Sequence, residues 1–291
     1  MFGVLERLKY INHLGEELHF GRDGLYVNES DIRDFSWTVA TVNNKVSGFS
    51  RGMANKTIPV RVLCASKADG IIKKNNLFEI PEKDILANQK GRLELDGYYC
   101  ECFVTGSQKS RYTISEQYME TDLTIFTDRP VWVRETKIDF KKDPTRRPDG
   151  QDDPGTVTYD FPFDFPFGLM GTVDRQDSIL NDTFYDTNFR LVIHGSAVNP
   201  TVYINDHQYQ VNTGVQDGAD LVIDSLNQKI YLDADGVQTS AFDARGRDEY
   251  IFEPIPAGEL EVRWDNTFDF DLYLLEERSE PRWRRQIGAI R

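Results

Sequence analysis

The chain is poor in cysteine, has no long apolar run and lacks the glycine motifs that cradle phosphate, and each absence removes a class of function. Only Cys64, Cys100 and Cys102 occur among 291 residues, too few for a disulfide framework. The Cys-x-Cys pair has no second Cys or Cys/His pair to complete a zinc site, so all three read as packing residues in a reducing compartment. No stretch approaches the roughly eighteen apolar residues of a membrane span. Glu6, Arg7 and Lys9 break up the first residues, where a secretion signal would need an apolar core. The expectation is a soluble product of the cytosol with no membrane insertion. Neither Gly-x-Gly-x-x-Gly nor a P-loop pattern is present, which leaves nucleotide chemistry without support.

Catalytic constellations are equally scarce. The four histidines, His13, His19, His194 and His207, fall in no spacing known for zinc or for a nucleophile relay. His194-Gly195-Ser196 resembles a triad fragment, but Gly-x-Ser-x-Gly is missing, so hydrolysis by this pair is not expected. Carboxylate pairs such as Asp160 with Asp164 or Asp269 with Asp271 are expected by chance in so acidic a chain, and the second pair reads as a solvent face. Asp233 to Gly236 resembles half a calcium loop. Ala244 occupies the place of the required Glu, however, so the segment reads as a turn. The reading is no enzyme, no catalytic residue, no metal and no cofactor.

What the chain does carry is β-pattern and uneven charge. Hydrophobic content of 39% with 12% aromatic is that of a folded protein, and the length suits two domains. Residues 150–277 hold 6 Lys/Arg against 25 Asp/Glu, whereas residues 1–149 hold 23 against 22. Such asymmetry belongs to separate domains, and the acidic half disfavours gripping nucleic-acid phosphates.

Short alternating runs follow residue 18. Between two of them lies a polar, Gly-bearing connection over residues 43–55, read as a long hairpin or loop with a basic tip. We expect it to be an arm that reaches a neighbouring subunit, with Lys45, Phe49, Arg51 and Met53 as its contact residues. Pro81 and Glu82 suit a helix start and Gly91 a stop, predicting one short helix. A hairpin is expected to turn at Asp96-Gly97. Residues 137–155 read as a charged, Pro-rich linker, followed by the tandem Phe161-Pro162-Phe163-Asp164 and Phe165-Pro166-Phe167-Gly168. Beyond it, about eight short strands in roughly 120 residues fit a β-sandwich. The last of these alternates Phe268, Phe270, Leu272 and Leu274 with Asp269, Asp271 and Tyr273. The expected architecture is mainly β. A sandwich-like domain with a short helix and an extended arm occupies 1–136, a linker 137–155, and a second β-sandwich 156–291.

Taken in order, the segments YVNESDIRDF, GMANKTIPVRVL, IPEKDILANQKGRLELDGYYCECFV, DLTIFTDRPVW and YDFPFDFPFG, then NPTVYIN through to FDFDLYLLEERSEPRW, span nearly the whole chain. This series resembles the distal tail proteins of long-tailed bacteriophages with non-contractile tails. The aromatic-Pro-aromatic-Asp segment and Arg278-Ser279-Glu280-Pro281-Arg282-Trp283 are its most specific pieces. The resemblance implies a structural hub at the virion tail tip, assembled in the host cytoplasm as a homohexameric ring. It implies as partners the tail tube protein, a tail-associated hub protein, and receptor-binding or baseplate proteins. It also implies that the second sandwich is galectin-like. The alternative reading is therefore a carbohydrate-binding, lectin-like module. The galectin pattern His-x-Asn-Pro-Arg plus a stacking Trp is met here only by Asn199-Pro200, then Thr201, with Trp264 read as packing. A glycoside hydrolase is the third reading, resting on the acidic count alone.

Overall fold

Period-two alternation builds almost every element of this protein. In the strand Ala54–Leu63, for example, Ile58, Val60 and Val62 are buried while Pro59, Arg61 and Leu63 face outward. The computed structural model describes residues 8–21, 23–27, 30–142 and 175–283, so the Phe-Pro-Phe tandem, Asp160 and Asp164 lie outside the described residues. The architecture is mainly β, with antiparallel sheets forming sandwiches. The chain divides into two units, Met1–Arg134 with Glu277–Arg291, and Glu135–Glu276. It enters the second unit within the strand Trp132–Phe140 and leaves it within the strand Phe270–Arg278. The sequence reading places the first boundary at 136, begins a linker at 137 and keeps the carboxy terminus in the second domain. In the structure the first of these strands continues to Phe140, because Ile138 and Phe140 pack into the second core.

The first unit owes its form to one long strand, Tyr98–Ser115. Its early residues pair with Gly91–Leu95, which continues the sheet through Lys9–Ile11 to Glu17–His19. Its later residues pair with Tyr118–Thr127, and that sheet continues through Ala54–Leu63 to Leu25–Val27. The change of partner falls beside a register shift between Val104 and Gly106, where a bulge lets the strand bend from one sheet to the other. Between the sheets lie Tyr10, Ile58, Val62, Leu95, Cys102, Met119 and Leu123. Asp96 and Gly97, with φ of 52° and 84°, make the tight turn that Asp-Gly predicts.

The helix of this unit corrects the sequence reading. It spans Lys67–Ala87, with Pro81 in its interior. The Ser66 hydroxyl caps it by accepting from the Asp69 amide at 3.1 Å, and Asn88, at φ 51°, ends it in the left-handed region. Gly91 serves close packing and not the helix stop, since a Cβ there would collide with the Asp84 carboxylate and the Tyr10 hydroxyl. Asp84 itself is fully buried. It accepts from the Tyr10 hydroxyl and from the His13 amide at 2.8 Å, tying the helix's last turn to the first strand.

The second unit is a two-layer sandwich. One sheet runs in the order Val237–Ser240, Lys229–Ala234, Ala219–Asp224, Asn188–His194, then residues 270–276 and 135–140. The other runs Arg175–Asn181, Gly258–Trp264, Thr201–Ile204, His207–Gln210. An aromatic cluster fills the space between them, with Phe140 stacked on Phe270 at 4.4 Å and Trp264 set edge-on to Phe270 at 5.1 Å. Residues 249–255 are irregular, apart from an isolated bridge between Ile255 and Thr187. They contribute Ile251, Phe252 and Ile255 to the core.

Replacing Asp84 by Ala leaves a buried tyrosine hydroxyl and a backbone N–H without their acceptor. Urea unfolding of Asp84→Ala should show a loss of about 3 kcal/mol. A change under about 0.5 kcal/mol would mean that the helix is held by its apolar face alone.

Candidate assembly surface

The residues expected as an arm form part of a two-stranded hairpin. Thr38–Val42 pairs with Lys45–Ser50 and with no other strand among the described residues. The turn is Asn43-Asn44, with φ of 51° and 60°, the geometry of a primed two-residue turn. Register places Val39 opposite Phe49 and Thr41 opposite Val46, so these four share one face, while Thr38, Ala40, Val42, Lys45, Gly48 and Ser50 share the other. Phe49 is 63% exposed, Val46 59% and Val39 49%. Of the expected contact residues, Lys45 sits beside the tip and Phe49 on the apolar face, whereas Arg51 and Met53 lie at the root. An isolated two-stranded ribbon is marginal in water, so one that shows apolar side chains to solvent calls for a covering surface.

Two arginines fasten the ground beneath the hairpin. Arg51 stacks over Trp37 at 4.0 Å and donates to the Ser279 hydroxyl at 2.8 Å. Arg33 stacks over Trp283 at 4.0 Å, donates to the Pro281 carbonyl at 2.8 Å and pairs with Asp96 at 3.1 Å. Arg129 pairs with Glu277 at 2.8 Å. The Arg-Ser-Glu-Pro-Arg-Trp segment is thereby clasped onto the first unit at the hairpin's root. A cavity of about 150 Å³ opens there between Phe35, Met53, Leu93, Ile125 and Trp132. It is smaller than the roughly 300–1,000 Å³ usual for small-molecule sites.

The chemical candidates do not assemble. No group of three or more His, Cys, Asp or Glu suited to a metal occurs among the described residues, nor any helix long and apolar enough to cross a membrane. The three cysteines are buried and unpaired, and burial pushes the Cys100 thiol up to about 11. Asp235 and Gly236, with φ of 51° and 81°, form the expected turn. Trp264 is 1% exposed and donates its ring N–H to the Phe268 carbonyl at 3.2 Å, so no sugar can stack on it.

Asp271 corrects the sequence reading: it is buried, not on a solvent face. Its strand lies inside the sheet between Asn188–His194 and Trp132–Phe140, and neighbours on both sides cover it. Lys137 reaches it at 3.0 Å, and also pairs with Asp139 at 2.6 Å. His194 bridges Asp220 at 2.7 Å and Asp271 at 3.1 Å and is committed to them, not to Ser196.

No family model and no curated protein matches the sequence. Among solved structures, the chain aligns with the SPP1 Dit protein, described as a paradigm of the hub adsorption apparatus in phages infecting Gram-positive bacteria. The TM-score is 0.54 and the identity 11%, over 93% of this chain and 99% of that one. The chain shares the fold of the SPP1 Dit protein. A chain of the phage P2 baseplate in its activated conformation with Ca aligns at TM-score 0.58 and 10% identity, over 95% of this chain and 100% of that one. The same baseplate with Sr gives the same values. A likeness spanning nearly every residue at about one identity in ten is a likeness of fold.

Burial alone would lower the pKa of His194, but its hydrogen bonds to Asp220 and Asp271 outweigh that and hold it above the ordinary value. A pKa raised by folding stabilises the fold in full below the ordinary value of about 6.5, and the gain is lost as pH rises through the raised value. The melting temperature of the parent relative to His194→Gln should therefore be higher near pH 6 and converge as pH rises. Parallel profiles across that window would show that the imidazolium adds nothing.

Proposed function

We propose that this chain is a distal tail protein, a structural hub at the tail tip of a long-tailed phage. The observation that carries the proposal is the fold match to hub and baseplate chains over 93–95% of its length. In this reading the first unit forms a homohexameric ring in the host cytoplasm. The ring joins the tail tube protein to a tail-associated hub protein, and receptor-binding or baseplate proteins attach at its periphery in the virion. The hairpin is the intersubunit arm, with Phe49 on its apolar face, Lys45 beside its tip, and Arg51 and Met53 at its root. Closed rings suit such a part, since each copy's exposed edge is covered by the next. The acidic surplus of residues 150–277 favours basic partner surfaces and makes their attachment sensitive to salt. The role is mechanical and non-enzymatic.

Native mass spectrometry of the purified chain tests this directly, with a six-copy mass expected. Replacing residues 39–49 by Asn-Gly joins Thr38 to Ser50, which already face each other, and should leave a folded monomer with stability changed by no more than about 0.5 kcal/mol. A variant that keeps the parent's oligomeric mass would remove the arm from the assembly.

A further inference from the structure

The helix Lys67–Ala87 shows a second uncovered apolar surface. It buries Leu77, Ile80, Pro81 and Asp84 against its own unit. Alongside that buried face, Ile71, Phe78 and Ile85 recur every seven residues, flanked by Ile72 and Leu86. All five are exposed, from 43% at Phe78 to 81% at Leu86. Scattered exposed apolar residues need no explanation, but a continuous stripe along a helix marks a contact surface. The charged members of the stripe are Glu79 and Glu82, and neither has an ion-pair partner among the described residues.

We propose that the apolar face of the hairpin seats on this helix stripe of a second copy of the chain. The inference rests on the arm reading and names the arm's landing site. Three properties match. From Ile71 to Leu86 the stripe is about 22 Å long, while strands of five and six residues span about 17–20 Å. Val39, Val46 and Phe49 offer the apolar counterpart to Phe78 and the isoleucines. The charges are also opposite: residues 35–68 contain no Asp or Glu, and Lys45, Arg51 and Lys56 lie on or beside the hairpin, against Glu79 and Glu82 on the stripe. The two faces differ from each other, so the contact is heterologous and repeats from copy to copy, the arrangement that closes into a ring.

The test uses the full chain. Phe49→Cys and Phe78→Cys are made in separate preparations and mixed under mild oxidation, the three native cysteines being buried. Disulfide-linked dimers should form in the mixture and not in either preparation alone. In parallel, Glu79→Lys with Glu82→Lys should weaken assembly about tenfold or more, and adding Lys45→Glu should restore part of the loss. If no cross-link forms and the charge-reversed chain assembles like the parent, while the hairpin replacement is monomeric, the landing site is overturned and the arm reading stands. If the hairpin replacement assembles like the parent, or the parent itself is monomeric, both fall. Loss of binding to another tail protein on changing Phe78→Asp, with the oligomer intact, would assign the stripe to that partner and overturn the proposal.

Discussion

The first unit depends on a buried carboxylate more than on any apolar contact of its helix. Only a few helix side chains are buried, so the helix contributes little hydrophobic area to the core. Asp84 makes up for this by accepting from Tyr10 and His13, and burial together with the bond to Asp84 drives the Tyr10 pKa upward, keeping the hydroxyl a donor. Gly91 leaves the space in which these groups meet. A helix anchored at its end by polar groups is free to present apolar residues on its outer flank. Its inward grip and its outward character are two results of the same arrangement.

The hairpin illustrates the opposite case, an element whose own chain supplies almost nothing to hold it. Its strands bond only to each other among the described residues, and its root is fixed by guanidinium groups stacked on Trp37 and Trp283. Planar arginines suit this role because they stack and donate at the same time. The ribbon is thus rigidly mounted and laterally bare. That combination limits the entropy lost when a partner surface covers it, because the root is already ordered.

What could be read from the sequence follows from what burial does to pattern. Strands with one covered face, such as Ala54–Leu63, announce themselves by alternation, and Asp96-Gly97 announces its turn. The segment from Lys45 to Ser50 reads as a polar connection because both its faces are exposed, leaving no periodicity to see. The helix was legible only from Pro81 onward, since a proline at a helix start is a strong signal while the Ser66 cap is quiet beside Gly70, Asn75 and Asn76. Asp271 was misplaced because alternation assigns a face without saying whether a neighbouring strand covers it. The clasp was out of reach: Arg33 and Pro281 are 248 residues apart, Arg51 and Ser279 228. Conversely, the Arg-Ser-Glu-Pro-Arg-Trp ending stands out in the sequence with no reason visible there, and the reason is that its residues meet Arg33 and Arg51.

The same clasp has a kinetic side. Both ends of the chain belong to the first unit, with Glu135–Glu276 threaded between them, so the carboxy-terminal segment joins its unit only across that whole length. Closing a flexible loop of such size costs about 4 kcal/mol, a cost that shrinks once the intervening residues are themselves ordered. The contacts of Arg33 with Trp283 and Pro281 and of Arg51 with Ser279 therefore close at least cost after the interior sandwich has folded, whereas the stack of Arg51 on Trp37 is local and does not wait for it. Part of the hairpin's root thus waits on the carboxy-terminal segment: without residues 279–283, Arg33 has no Trp283 to stack on and Arg51 no Ser279 to donate to.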